Sequence, residues 1–305
     1  MCRSSPSSTR RRRAGSPARL RVSLPLPSGF SFDAVVRSHG WYDLPPFSYD
    51  RASGRLTYVA PGPSPWSFRG VSGNLEASAP GRRSAALAAA AARIFSLDLD
   101  LSGFDAMLGE EPELRRALAR GGGRMLRAAT LFEDAVKMLL TTNCSWAATR
   151  GMVIRLIEVA GDGGAFPGPA AVARLRPRVL RDRVRVGYRA KALSRFARRI
   201  DSGRLDLADW ERPDAPAEAV RAAILAEHGF GPYAAEGLLR ILGRHEYLAL
   251  DSWVRKQFRK LHPGPAKTVD RAIARRYARY GVFRGLALWL ELTRGWHEGE
   301  NPGWD

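Results

Sequence analysis

The sequence predicts a mainly α protein with a small antiparallel β module near its N-terminal end. Between residues 30 and 80, aromatics (Phe30, Phe32, Trp41, Tyr42, Phe47, Tyr49, Tyr58, Trp66, Phe68) alternate with Pro, Gly and Ser, a composition of short strands and turns. From residue 82 onward, apolar residues recur at helical spacing in segments that end at Gly or Pro. A length of 305 residues is enough for two packed subdomains.

Taken in chain order, residues 1–29 are rich in Ser, Pro and Arg and lack an apolar period, so they read as a disordered basic arm. An acid-poor, Arg- and Ser-rich leader also describes an organelle transit peptide, and that reading stays open. Residues 30–80 form the β module, with strands expected at 54–60, 66–71 and 74–78. Residues 81–295 form the helical body. Its helices are expected at 84–95, 102–108, 111–120, 130–141, 145–160, 169–175, 188–201, 214–228, 232–243, 252–261, 267–280 and 284–295. Residues 296–305 are a C-terminal tail. No repeat of fixed period is visible.

Composition narrows the function. Two cysteines, Cys2 and Cys144, cannot build a tetrathiolate zinc site or a four-cysteine cluster. The five histidines are scattered, without ligand spacing, so no metal site is assigned. No apolar run reaches membrane-spanning length, and a soluble protein is expected. The net charge is +19, with 49 Lys plus Arg against 30 Asp plus Glu. Residues 171–199 carry eleven basic side chains against Asp182 alone, and residues 251–279 carry nine against two acids. Such clustering suits either a polyanion partner, most commonly nucleic acid, or solvated helix faces.

The chemistry concentrates in residues 224–251. One helix stops at Gly229-Phe230-Gly231 and another starts at Pro232. Two glycines allow a tight hairpin, and proline is tolerated at the first helical position because its missing N–H has no partner there. The hairpin therefore presents backbone N–H groups at a helix N-terminus, a geometry for a phosphate oxygen. Asp251 lies 18 residues beyond Tyr233, after the apolar run Leu248-Ala249-Leu250 and before an amphipathic helix. Taken alone, Asp251 reads as an N-cap.

A Gly-hydrophobic-Gly hairpin, a helix, and an apolar stretch ending in Asp together resemble the helix-hairpin-helix (HhH-GPD) superfamily of DNA glycosylases. Two further stretches are similar to the 8-oxoguanine glycosylases: residues 123–156, which carry Thr142-Asn143-Cys144 at a helix junction, and Val186-Gly187-Tyr188-Arg189-Ala190-Lys191 at a helix start. A sheet-rich module followed by a helical body also resembles the 8-oxoguanine and bacterial 3-methyladenine glycosylases. The resemblance covers residues 30–295.

The resemblance implies that the partner is damaged double-stranded DNA. A damaged nucleotide is flipped into a pocket and its N-glycosidic bond is cleaved in base excision repair. Asp251 is then the catalytic residue, stabilising the oxocarbenium-like sugar and positioning water. Gly229, Gly231 and Tyr233 contact DNA at the hairpin, Asn143 is the wedge, Tyr188 approaches the gap, and Arg189 and Lys191 serve phosphates. Bifunctional members place a Schiff-base lysine two residues past the second hairpin glycine. Here that position is Tyr233, so a monofunctional enzyme acting on an alkylated or oxidised purine is expected. No cofactor is expected beyond a monovalent cation in the hairpin turn.

Aligning the last helix puts Leu288 and Leu292 where 8-oxoguanine glycosylases carry Gln and Phe, which argues against that specificity. Trp41 and Trp289, with Tyr233, are instead candidates for a base pocket that attracts cationic alkylated purines. The alternatives are a bifunctional 8-oxoguanine-type glycosylase/AP lyase and a non-catalytic helix-hairpin-helix DNA-binding protein. A cytoplasmic monomer is expected, nucleoid-associated if bacterial, with no membrane partner.

Overall fold

The structure is a computed structural model that describes residues 19–298 apart from 63–64, 82–83 and 110. It opens with β1 (Arg19–Pro25), α1 (Phe32–Val36), β2 (Phe47–Asp50), β3 (Arg55–Tyr58), β4 (Trp66–Val71) and β5 (Asn74–Pro80). The helical body follows as α2 (Ser84–Ile94), α3 (Ser102–Met107), α4 (Pro112–Ala119), α5 (Leu131–Leu140), α6 (Trp146–Ala160), α7 (Pro169–Ala173), α8 (Pro177–Asp182) and α9 (Arg189–Asp201). It ends with α10 (Ala208–Glu211), α11 (Ala217–Leu225), α12 (Pro232–Ile241), α13 (Ser252–Leu261), α14 (Val269–Tyr277) and α15 (Arg284–Leu292). The mainly α class with an N-terminal antiparallel module is what the sequence predicts.

The sheet runs in the order β1-β5-β4-β3-β2, with every neighbouring pair antiparallel. Strand β1 corrects the expectation of a disordered arm over residues 1–29. Leu20, Val22 and Leu24 alternate with exposed Arg19, Arg21 and Ser23, and the seven residues pair with β5 from Arg19↔Pro80 to Pro25↔Asn74. The period of two was present in the sequence but masked by an Arg- and Pro-rich composition. The rest of the arm, residues 1–18, and most of the C-terminal tail, residues 299–305, lie outside the described residues.

Two cores build the body. The larger joins the sheet to α2, α5, α6, α9, α11 and α12 through Phe68, Phe95, Phe132, Phe196 and Leu238. Helix α5 is buried along its entire length, so it is the central strut. It carries an ion pair, Lys137 Nζ to Glu133 Oε1 at 2.6 Å, and Tyr58 donates to Glu133 Oε2 at 2.7 Å. The second core packs α3 and α4 against α13–α15 through Phe104, Val254, Phe258, Ile273 and Leu286. Trp289 and Trp296, with Met125, form a smaller cluster. The Gly285 N–H donates to the His245 carbonyl at 2.8 Å, and a Cβ at Gly285 would lie 2.0 Å from the Tyr247 oxygen. Only glycine lets α15 approach the loop after α12 this closely.

Candidate active site

A cleft of about 800 Å³ is lined by the α5–α6 junction, the N-terminus of α12, the entry to α13, and Trp289 of α15. Trp41, Asn143, Tyr188, Gly229, Gly231, Tyr233, Asp251 and Trp289 all line it. The fold thus gathers eight sequence-nominated residues from six separate segments.

At the α5–α6 junction, Asn143 has φ +47°, a left-handed conformation that asparagine tolerates better than most residues. Ser145, not Asn143, caps α6 by accepting the Ala148 N–H at 3.2 Å. The asparagine amide is therefore free of capping, and its Nδ2 donates to the Tyr188 hydroxyl at 3.3 Å. Tyr188 is 67% exposed.

Arg189 departs from expectation. It is buried, its Nε donates to Thr142 Oγ1 at 3.1 Å, its Nη2 donates to the Thr142 carbonyl, and its guanidinium stacks 4.5 Å from the Tyr188 ring. The structure therefore spends this cation on bracing the Asn143 turn and does not offer it to a phosphate. Lys191 is exposed on α9, but it lines a separate groove with Arg195 and Arg199, outside the cleft.

In the hairpin, Gly229 alone takes the positive φ, +96°, and a Cβ there would lie 2.4 Å from Ala192 Cβ. Gly231, at φ −91°, is extended, so the hairpin needs only one left-handed glycine. It is the N-cap of α12, with Pro232 next, and no side chain caps this end. The N–H groups of the first turn therefore face the cleft side without an intrahelical partner, a setting that favours an anion. A side chain at Gly231 meets nothing within 4 Å, so what the position leaves clear is room for an approaching group.

Asp251 does cap its helix, accepting the Val254 N–H at 2.7 Å. No side-chain donor among the described residues engages the carboxylate, and it lines the cleft. Burial pushes its pKa above the ordinary aspartate range, opposed by the Val254 N–H and by the charges of Arg240 and Arg255. Burial, then the Asp251 charge, pushes the Tyr233 phenol up to about 12, so it is protonated at neutral pH.

Two residues of α12 that the sequence reading missed hold Asp251 in place. Glu236 Oε2 accepts the Ala249 N–H at 3.0 Å, while its Oε1 pairs with Arg221 at 2.8 Å. Arg240 Nη2 donates to the Leu248 carbonyl at 2.7 Å. Arg240 is 7% exposed, lines the cleft and stacks 4.6 Å from the Trp289 ring. Burial lowers its pKa to about 10, which leaves it charged at neutral pH. A signal for both existed: positions 233, 236 and 240 share one face of a helix.

Leu288 and Leu292, which the sequence set against the base, are buried in the second core and do not line the cleft, whereas Trp289 of the same helix does. Trp289 Nε1 donates to the Ser38 carbonyl at 3.0 Å, and Trp41 Nε1 donates to Asp134 at 2.8 Å. His39, beside Trp41, is buried and held near pKa 4 by that burial, and its Nε2 lies 2.7 Å from the Leu126 carbonyl. No group of three or more His, Cys, Asp or Glu residues suited to a metal occurs among the described residues.

No family model matches the sequence, and no curated protein matches it. Solved structures do match the fold. MBOgg1, solved in complex with a low-affinity DNA ligand, superposes with a TM-score of 0.71 at 19% identity, covering 92% of this chain and 96% of its own. The 8-oxoguanine glycosylase/lyase of Clostridium acetobutylicum gives 0.70 at 18% identity, covering 89% and 95%. The 3-methyladenine DNA glycosylase of Archaeoglobus fulgidus gives 0.66 at 20% identity, covering 90% and 98%. The chain has the fold of the helix-hairpin-helix DNA glycosylases over nearly its whole length. Among the described residues, no helix is long and apolar enough to cross a membrane.

Proposed function

We propose that the protein is a monofunctional DNA glycosylase of base excision repair that removes a damaged purine from duplex DNA. The observation that supports this reading is the convergence of a buried carboxylate, Asp251, an uncapped helix N-terminus at Gly231, and the projecting Asn143–Tyr188 pair around one cleft. Its volume, about 800 Å³, has room for an extruded nucleotide. The hairpin N–H groups hold a phosphate, Asn143 fills the gap left in the stack, and the base enters between Trp41 and Trp289.

In the reaction, the C1′–N bond breaks with its electron pair leaving on the base. The ionised Asp251 faces the positive charge that develops on the sugar, a fixed anion at the point where charge appears. Water then bonds to C1′ and gives up a proton, leaving an abasic site. None of the five lysines lines the cleft, and Lys137 is buried against Glu133, so the amine that a lyase needs is not at hand. The carbonyls of His228, Gly229 and Phe230 accept no backbone hydrogen bond among the described residues, which suits the expected monovalent cation; it would screen a phosphate held at the turn. A cytoplasmic or nucleoid location follows from this reading.

The test is a single-turnover assay on duplexes that each carry one damaged purine, comparing wild type with Asp251→Asn. The wild type is expected to leave an alkali-labile abasic site, and the variant to bind the duplex without releasing base. Duplex binding with no base release by the wild type on any lesion would overturn the enzyme reading in favour of a DNA-binding protein.

A further inference from the structure

We propose that Arg240 makes the cleft select a neutral base that presents a carbonyl oxygen, such as an oxidised or deaminated purine, and exclude cationic alkylated purines. This deepens the glycosylase reading and rests on it.

Arg240 reaches the cleft from α12 on the same face as Tyr233, two helical turns away. Its only hydrogen bond among the described residues is the one to the Leu248 carbonyl, its Nε is buried without a partner, and no carboxylate lies within ion-pair distance. A guanidinium has five N–H donors in a planar fork, and a buried donor left unmet is costly. A base that brings a carbonyl oxygen beside an unprotonated ring nitrogen, as the O6–N7 edge of hypoxanthine does, supplies two acceptors in the geometry the fork matches, whereas 8-oxoguanine, whose N7 carries a proton, supplies carbonyl oxygens alone. A base with only donors or methyl groups on that edge leaves the donors unmet.

The exclusion of cations rests on a second set of contacts. The aromatic faces that suggested a cation site already have cations beside them: Arg240 lies 4.6 Å from the Trp289 ring, and Lys137 Nζ lies 6.0 Å from the Trp41 ring. Among the described residues, Asp251 is the one carboxylate lining the cleft, against Arg240 and Arg255, the latter paired with Asp270 at 2.7 Å. A positively charged base therefore meets a buried guanidinium without a compensating second anion, where low dielectric strengthens the repulsion. Sequence reading alone favoured the opposite preference because it counted the tryptophans and not the cations stacked on them.

The experiment measures single-turnover excision on three substrates: duplexes carrying 8-oxoguanine, duplexes carrying hypoxanthine, and methylated DNA from which 3-methyladenine release is followed. Wild type and the Arg240→Met and Arg240→Lys variants are compared. Wild type is expected to excise at least one carbonyl-bearing base faster than 3-methyladenine. Arg240→Met also gives up the Leu248 carbonyl and so slows every substrate, but it is expected to cost the carbonyl base about tenfold to a hundredfold more than 3-methyladenine, the discrimination of one bidentate pair. Arg240→Lys keeps the charge and loses the fork, so it slows the carbonyl base yet still excludes 3-methyladenine. Preferred release of 3-methyladenine by wild type, or an equal loss on all substrates in Arg240→Met, overturns the assignment while the glycosylase reading stands. No release of any base by wild type overturns both. The wild-type preference decides the matter even if a variant fails to fold.

Discussion

Glu236 accepts the backbone N–H of Ala249 at 3.0 Å, and Ala249 holds φ +50° two residues before Asp251. A left-handed alanine is strained by about 1 kcal/mol. The strain persists because α12 grips the segment twice, through Glu236 and, one turn on, through Arg240 at the Leu248 carbonyl. Helix α12 thus carries the hairpin glycine at its start and fixes the carboxylate's approach from its middle, so that in the proposed function phosphate contact and catalytic charge depend on one rigid element.

Loosening that grip is expected to slow chemistry without weakening DNA binding. Glu236→Gln keeps an acceptor for the Ala249 N–H but loses the Arg221 ion pair, and Glu236→Ala loses both. A displacement of the carboxylate of about 1 Å costs on the order of a hundredfold in rate. Single-turnover excision should fall in the order wild type, Glu236→Gln, Glu236→Ala, with duplex affinity constant. Parallel losses in affinity and rate would show instead that the hairpin itself had moved.

Asp251→Asn separates charge from capping, because asparagine caps a helix about as well as aspartate. Base release is expected to fall by about a hundredfold or more, the scale for removing one fixed electrostatic contact at a reacting centre. The variant should also be the more stable protein at neutral pH. Burial raises the folded pKa of Asp251 above its unfolded value, so ionising it in the fold is unfavourable, and the wild type loses stability as pH rises through that interval. Denaturant unfolding of both proteins at pH 7 and near pH 4 checks this: the advantage of Asp251→Asn should shrink at the lower pH.

The buried histidines act with the opposite sign. Desolvation holds His39 near pKa 4 and His245 near 3, and neither ring nitrogen of His245 has a hydrogen-bond partner. A depressed histidine pKa means the unfolded chain binds protons that the folded chain refuses. Stability is therefore full above the unfolded value of about 6.5 and declines as pH falls toward the folded values. The expected loss from His39 is about 3 kcal/mol between pH 6.5 and 4, counted from its shift to about 4. A His39→Gln variant, which keeps a donor for the Leu126 carbonyl, should flatten the acid limb of a melting-temperature profile. An unchanged limb would place the acid sensitivity elsewhere.

Asp251 and the hairpin were legible because each is a local pattern, a Gly-x-Gly break before Pro232 and an Asp that follows an apolar run. The cleft they share was legible only through resemblance, since nothing local brings residue 143 near residue 251. Arg189 and Arg240 were misjudged or missed for one reason. An arginine in a basic, Arg-rich chain reads as surface charge, whereas here both are buried and hold turns by donating to backbone carbonyls. Strand β1 was hidden the same way, by composition overriding a period of two.

The last expectation concerns the reaction's second half. A lyase needs an uncharged amine at C1′, which attacks the sugar and forms an imine that borohydride reduces to a stable adduct. Tyr233 stands at the mouth of α12, and its phenol, pushed up to about 12, stays protonated and cannot form that imine. Lys137 Nζ lies 6.0 Å from the Trp41 ring, but it is buried and paired with Glu133 at 2.6 Å. Incubation with a substrate duplex and borohydride should therefore give no covalent complex, and the product strand should stay intact until alkali is added. Tyr233→Lys would place an amine beside Asp251 and is expected to gain a trappable adduct. A wild-type adduct that survives replacement of Lys191 and Lys256 would mean that another amine, such as the chain's α-amino group, reaches the sugar and that Tyr233 does not mark the subclass.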